Sequence, residues 1–139
     1  MQILIVVNSF PKISETFIYE KVTGLKNKNF NVFVLSHNKD NDYEFFHYRK
    51  DLKNIHELNT KSYSFILKCF KSFFKNFFYF LKVFIQLNKN GIGLKKSILN
   101  IFKLIPFYYK SFDIIHFEFS GIGVNYLAVF DFIPGKKVI

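Results

Sequence analysis

The feature that most constrains this chain lies before residue 20, where a buried strand gives way to a polar loop and then a helix. Ile3-Leu4-Ile5-Val6-Val7 is an unbroken apolar run, as expected of a strand covered on both faces of a parallel sheet. Asn8-Ser9-Phe10-Pro11-Lys12-Ile13 cannot continue it, because Pro11 lacks a backbone donor and its ring fixes φ. Ser14-Glu15-Thr16 reads as a helix start, with Ser14 as the cap and Glu15 near the positive end of the helix dipole. A helix from about Ser14 to Lys28 follows, with Phe17, Ile18, Val22 and Leu25 on its apolar face. Phe30 to Leu35 is the second strand, which completes a βαβ unit. In open α/β sheets, ligands bind where such a loop leaves the carboxyl end of a strand. Asn8, Ser9, Ser14, Glu15 and Thr16 are therefore candidate substrate-binding residues, with free helix N–H groups to receive an anion. A simple helix cap explains the same residues, and both readings stand at this point.

Ser36 to Ser62 is polar, with a turn signal at Asp40-Asn41-Asp42 and a candidate short strand over Tyr43 to Tyr48. From Tyr63 to Leu87 the period predicts one amphipathic helix. Ile66, Cys69, Phe70, Phe73, Phe74, Phe77, Phe80, Leu81 and Phe84 share a broad face. Lys68, Lys71, Lys75 and Lys82 lie opposite. That lysine stripe reads equally as the membrane-facing edge of an interfacial helix or as an ordinary solvated face. Four lysines in the segment argue against a transmembrane span. Leu94 to Leu104 suggests another helix, with Ile98, Leu99, Ile101, Phe102 and Ile105 apolar and Pro106 at its end. Asp113 to Phe119 is a further buried strand, Ser120 to Gly123 its loop, Val124 to Phe132 a short helix, and Lys136 to Ile139 the start of another strand. The expected fold is α/β with a three-layer parallel sheet, a single domain over residues 1–139.

His116 and Glu118 stand two apart on the Asp113 strand, so their side chains share one face. A histidine beside a carboxylate suits acid–base work or substrate clamping, and a structural pair explains it as well. Gly121 has a turn role first, since a lone G-x-G is weak evidence of phosphate binding. His37, His47 and His56 lack metal-ligand spacing, so no metal is expected. A net charge of +10 favours anionic partners. A nucleic acid is disfavoured among them, because no familiar RNA-binding pattern interleaves the basic residues with aromatics. Cys69 is the sole cysteine, which excludes an internal disulfide. Nothing at the N-terminus resembles a secretory signal, and a cytoplasmic location is expected, at the inner face of the plasma membrane.

The run I-V-V-N-S-F-P-K-I-S-E-T-F-I from Ile5 to Ile18 resembles the opening of family 4 glycosyltransferases of the polysaccharide-assembly type, retaining enzymes of the two-domain GT-B fold. Asp113-Ile114-Ile115-His116-Phe117-Glu118-Phe119 is similar to a later strand of the same half-enzyme. The resemblance implies a Rossmann-like, incomplete, N-terminal acceptor-side domain. It assigns His116 a catalytic part and Asn8, Ser9, Ser14, Glu15, Thr16, Glu118 and Gly121 to substrate binding. The implied donor is a nucleotide sugar, used without metal or other cofactor, and the acceptor a glycan or lipid-linked glycan. The resemblance also implies that a further half, carrying paired glutamates and most of the donor site, is expected outside this chain. A partner chain is then one expected source for it, and the chain alone is expected to have little or no transferase activity. The rival expectation is a non-enzymatic peripheral membrane module built on the 63–87 helix.

Overall fold

The computed structural model describes residues 1–38, 56–60 and 62–139. Five parallel strands form one sheet in the order β3-β2-β1-β4-β5: β1 Gln2–Ser9, β2 Asn31–Asn38, β3 His56–Asn59, β4 Ile114–Phe117 and β5 Lys136–Val138. The apolar run of β1 is central, with Ile3 paired to Val32 on one side and to Ile114 on the other. Its side chains alternate between two cores. Ile3, Ile5 and Val7 meet Val32, Val34, Phe10 and helix α1 (Thr16–Asn27) through Ile18, Tyr19 and Val22. Leu4 and Val6 join Leu35, Ile115 and Phe117 beneath helices α2 (Tyr63–Lys75), α3 (Phe77–Lys89) and α4 (Leu94–Leu104). The result is a three-layer, Rossmann-like α/β arrangement, as the sequence predicts.

Several local expectations need correction. Ser14 does not cap the first helix: it lies exposed inside a 3₁₀ turn, Ile13–Glu15, and α1 starts at Thr16. Lys12 explains the change. Its ammonium holds the Glu15 carboxylate at 3.1 Å, while the Glu15 N–H donates to the Lys12 carbonyl at 3.0 Å. Phe17, expected in the core, is exposed and stacks edge-on against Phe119. The turn at Asp40–Asp42, the strand over Tyr43–Tyr48 and His47 lie outside the described residues. β3 was not expected at all.

The single helix predicted over Tyr63–Leu87 is two helices, broken at Asn76. The Asn76 side-chain amide donates to the Ser72 carbonyl at 2.9 Å, and its backbone leaves helical values. Such a local bond competes with the helical ladder. The break splits the predicted apolar face. Phe80 is buried beside Val83 and Leu87, whereas Ile66, Phe70, Phe74, Phe77 and Leu81 are exposed. In α4, Ile101 is buried together with the polar Ser97 and Asn100, while Ile98, Leu99 and Phe102 face outward. After Leu104 the chain makes a further 3₁₀ turn, Ile105–Tyr108, with Pro106 inside its start. After β4, Ser120–Val124 is a one-turn helix, α5, where a loop was expected. Leu127–Phe132 is 3₁₀ where a helix was expected.

Candidate functional site

Strand order fixes where a ligand crevice opens. From β1 the chain moves outward to β2 and β3, then returns across the sheet to place β4 on the other flank of β1. The connections therefore diverge between β1 and β4, and an open parallel sheet binds ligands beyond the carboxyl ends of its strands at such a switch point. Asn8 and Ser9 end β1. His116 lies in β4, with Glu118 just past its end, and the Glu118 N–H donates to the Val6 carbonyl at 3.0 Å. The Phe17–Phe119 ring contact, 5.9 Å between centroids, ties the start of α1 to the tip of β4. Both landmarks found in the sequence therefore meet at the carboxyl end of the sheet, between β1 and β4.

Glu118 is the best-defined polar group there. Its side chain is only 7% exposed and its Oε1 accepts from Lys21 Nζ at 2.7 Å, with His116 Nδ1 at 3.2 Å. Burial, the largest influence, holds the His116 pKa below the ordinary histidine value, and Lys21 adds to that while Glu118 opposes it. With the ring neutral, a proton on Nδ1 would face the Glu118 carboxylate and leave Nε2 as an acceptor. That arrangement suits accepting a proton from, or orienting, a hydroxyl. Lys21 was missed in the sequence: it lies 97 positions from Glu118, and only packing α1 against the sheet joins them. At the β1 tip, Asn38 Nδ2 donates to Asn8 Oδ1 at 3.4 Å. Phe119, just past the carboxyl end of β4, has φ +71, a left-handed value that is costly for a non-glycine.

Other assigned residues fare unevenly. Ser14 and Thr16 are exposed at the approach to α1, and Glu15 is turned back to Lys12. Gly121 lies in α5 rather than in a loop. A Cβ there would meet nothing within 4 Å, and its backbone lies outside the left-handed region. Lys68, Lys71 and Lys75 form a row on α2, while Lys82 belongs to α3. Among the described residues there is no group of three or more potential metal ligands, and no helix is long and apolar enough to cross a membrane.

A cavity of about 480 Å³ lies elsewhere, lined in part by His37, Thr60, Lys96, Lys103 and Tyr126. The Tyr126 hydroxyl and His37 Nε2 share a 2.8 Å hydrogen bond, and Lys103 Nζ donates to the Asn125 carbonyl at 3.0 Å. Burial first, then Lys103, depresses the His37 pKa. In the sequence His37 stands out only as a candidate metal ligand; its place at the carboxyl end of β2 is the signal for this cavity.

Both histidines bind fewer protons folded than unfolded, because their folded pKa values lie below the ordinary 6.5. Their contribution to stability is complete above pH ~6.5 and is lost as pH falls through the lower folded values. Replacing Glu118 with Gln removes the one influence that raises the His116 pKa, so the titration midpoint of its ring protons should move further down in NMR spectra. A midpoint that stays fixed or rises would show that the 3.2 Å contact does not govern His116.

Comparison with family models, with curated proteins and with solved structures finds no match to this chain.

Proposed function

We propose that this chain is the acceptor-side domain of a retaining, GT-B-type glycosyltransferase that moves a sugar from a nucleotide donor to a glycan or lipid-linked glycan. The single observation that carries the reading is the placement of the F-P-K-I-S-E-T-F loop. It leaves the carboxyl end of β1 at the switch point beside β4, the strand that bears His116. The motif belongs to the resemblance, while the crevice position follows from strand order and is independent of it.

In this reading the crevice edge holds the acceptor. Asn8, Ser9, Ser14 and Thr16 supply polar contacts, and His116 Nε2 orients the acceptor hydroxyl, its ring held by Glu118 and Lys21. A second domain supplies most of the donor site and the positive charge that stabilises the departing diphosphate. The chemistry calls on no metal. As a lone domain the chain binds acceptor weakly and transfers little or no sugar.

The test is a ¹H–¹⁵N NMR titration of the chain with a water-soluble isoprenyl diphosphate carrying one hexose. Amides of Asn8, Ser9, Ser14 to Phe17 and Glu118 to Gly121 should shift together and saturate. His116→Ala should weaken the response without changing the fold. Shifts that are absent, or that fall only on α2–α4, would overturn the assignment of this edge.

A further inference from the structure

Helices α2, α3 and α4 carry an apolar surface that the fold does not cover. Phe70 and Phe74 of α2 are 60% and 61% exposed, and their rings touch with centroids 4.8 Å apart. Phe73 continues the contact to Phe74 and to Phe77 of α3. Phe77 and Leu81 then border an apolar groove of about 190 Å³ whose far wall is Ile98 and Phe102 of α4. Phe78, beside Phe77, is 83% exposed. Exposed apolar surface continuous over three helices marks an interaction face.

Charge identifies the occupant. Residues 63–104 contain eight lysines and no Asp or Glu. On a helix turning about 100° per residue, Lys68, Lys71 and Lys75 form one row, centred roughly 110° around the helix from the row of Phe70 and Phe74. The lysine row is one wall of a cleft of about 340 Å³, closed by Tyr108 and Tyr109, with Lys68 Nζ 5.7 Å from the Tyr109 ring centroid. In the same wall the Ser72 hydroxyl is buried without a hydrogen-bond partner among the described residues. Phenylalanines flanked by lysines, in a segment that contains no acidic residue, complement an anionic bilayer: rings enter the acyl boundary while ammonium groups meet phosphates.

We propose that this face docks on an anionic membrane, with the Lys68–Lys71–Lys75 cleft taking the headgroup phosphate and Phe70, Phe74 and Phe78 entering the lipid. The helices lie in the interface and do not span it. The proposal is independent of the β1–β4 crevice and of any transferase reading.

Sedimentation of the chain with phosphatidylcholine vesicles, with and without about one-third phosphatidylglycerol, tests it. Binding should require the anionic lipid and weaken as salt rises. The triple variant Lys68→Gln, Lys71→Gln, Lys75→Gln should lose about 100-fold in affinity, each lysine near an anionic surface contributing about fivefold. The pair Phe70→Ser, Phe74→Ser should also release the protein while thermal unfolding stays unchanged, since both rings are exposed. The chain has no tryptophan, so Phe78→Trp gives a clean reporter whose emission should shift blue and be quenched by brominated lipid. Equal binding to neutral vesicles, full binding by the lysine variant, or indole emission from Phe78→Trp that brominated lipid leaves unquenched would overturn the proposal. So would a dimer that dissociates in the Phe70, Phe74 variant with no vesicle binding, which would assign the face to a second copy.

Discussion

Phe117→Ala is expected to lower the stability of this chain by about 3–5 kcal/mol, read as a fall in the urea midpoint with little change in slope. Phe117 is fully buried in β4, and its ring lies 5.4 Å from Tyr126, 5.7 Å from Phe130 and 6.0 Å from Phe107. Truncation to Ala removes the contacts on all three sides. A domain stabilised by about 5–15 kcal/mol keeps only a narrow margin after such a loss. The matched control is Phe78→Ala, where an 83% exposed ring predicts a change within about 0.5 kcal/mol. If the two variants unfolded alike, Phe117 would not be the floor beneath β4. Any effect of Phe117→Ala on ligand binding must also be read against this loss, because His116 is carried by the same strand.

Periodicity and local chemistry made part of this fold legible. The unbroken apolar run of β1 announced a strand covered on both sides, and Pro11 announced its end. His116 and Glu118 were paired by strand alternation alone, and their 3.2 Å contact follows directly from it. Other features depend on partners distant in sequence. β3 is the four residues His56–Asn59, with Leu58 its one residue of clear apolar character, so its pairing with β2 supplies what its sequence does not signal. The break at Asn76 was hidden because phenylalanines keep their period across it. Which of them enter the core depends on where α2, α3 and α4 cross, and that is set by tertiary contact. The cap expected at Ser14 failed for a local reason: Lys12 drew Glu15 backward, and the helix began two residues later. The Lys21–Glu118 pair could not be read at all, since α1 and β4 become neighbours only through sheet order.

Gly135→Ala should cost about 3 kcal/mol, seen as a lower urea midpoint and as weakened hydrogen-exchange protection in β4 and β5. Two effects add at this position. The backbone holds φ +82, a conformation that costs an L-residue about 1–2 kcal/mol. A Cβ would also stand 2.5 Å from the Phe112 carbonyl oxygen, so the backbone itself would have to move. That movement has consequences, because Phe112 and Asp113 anchor the start of β4. The Asp113 carboxylate accepts from the Gln2 N–H at 2.7 Å, and the Asp113 carbonyl accepts from Lys136 N–H at 3.0 Å, where β5 joins the sheet. The remaining glycines separate the two effects. Gly91 has φ +80 but nothing within 4 Å of an added Cβ, so Gly91→Ala should show the conformational cost alone, about 1–2 kcal/mol. Gly121 has neither constraint and lies in α5, so Gly121→Ala should be neutral or stabilising by up to about 1 kcal/mol. A Gly135→Ala loss no larger than that of Gly91→Ala would mean that the Phe112–Asp113 segment yields freely. The register that holds His116 beside β1 would then rest on the β1–β4 pairing alone.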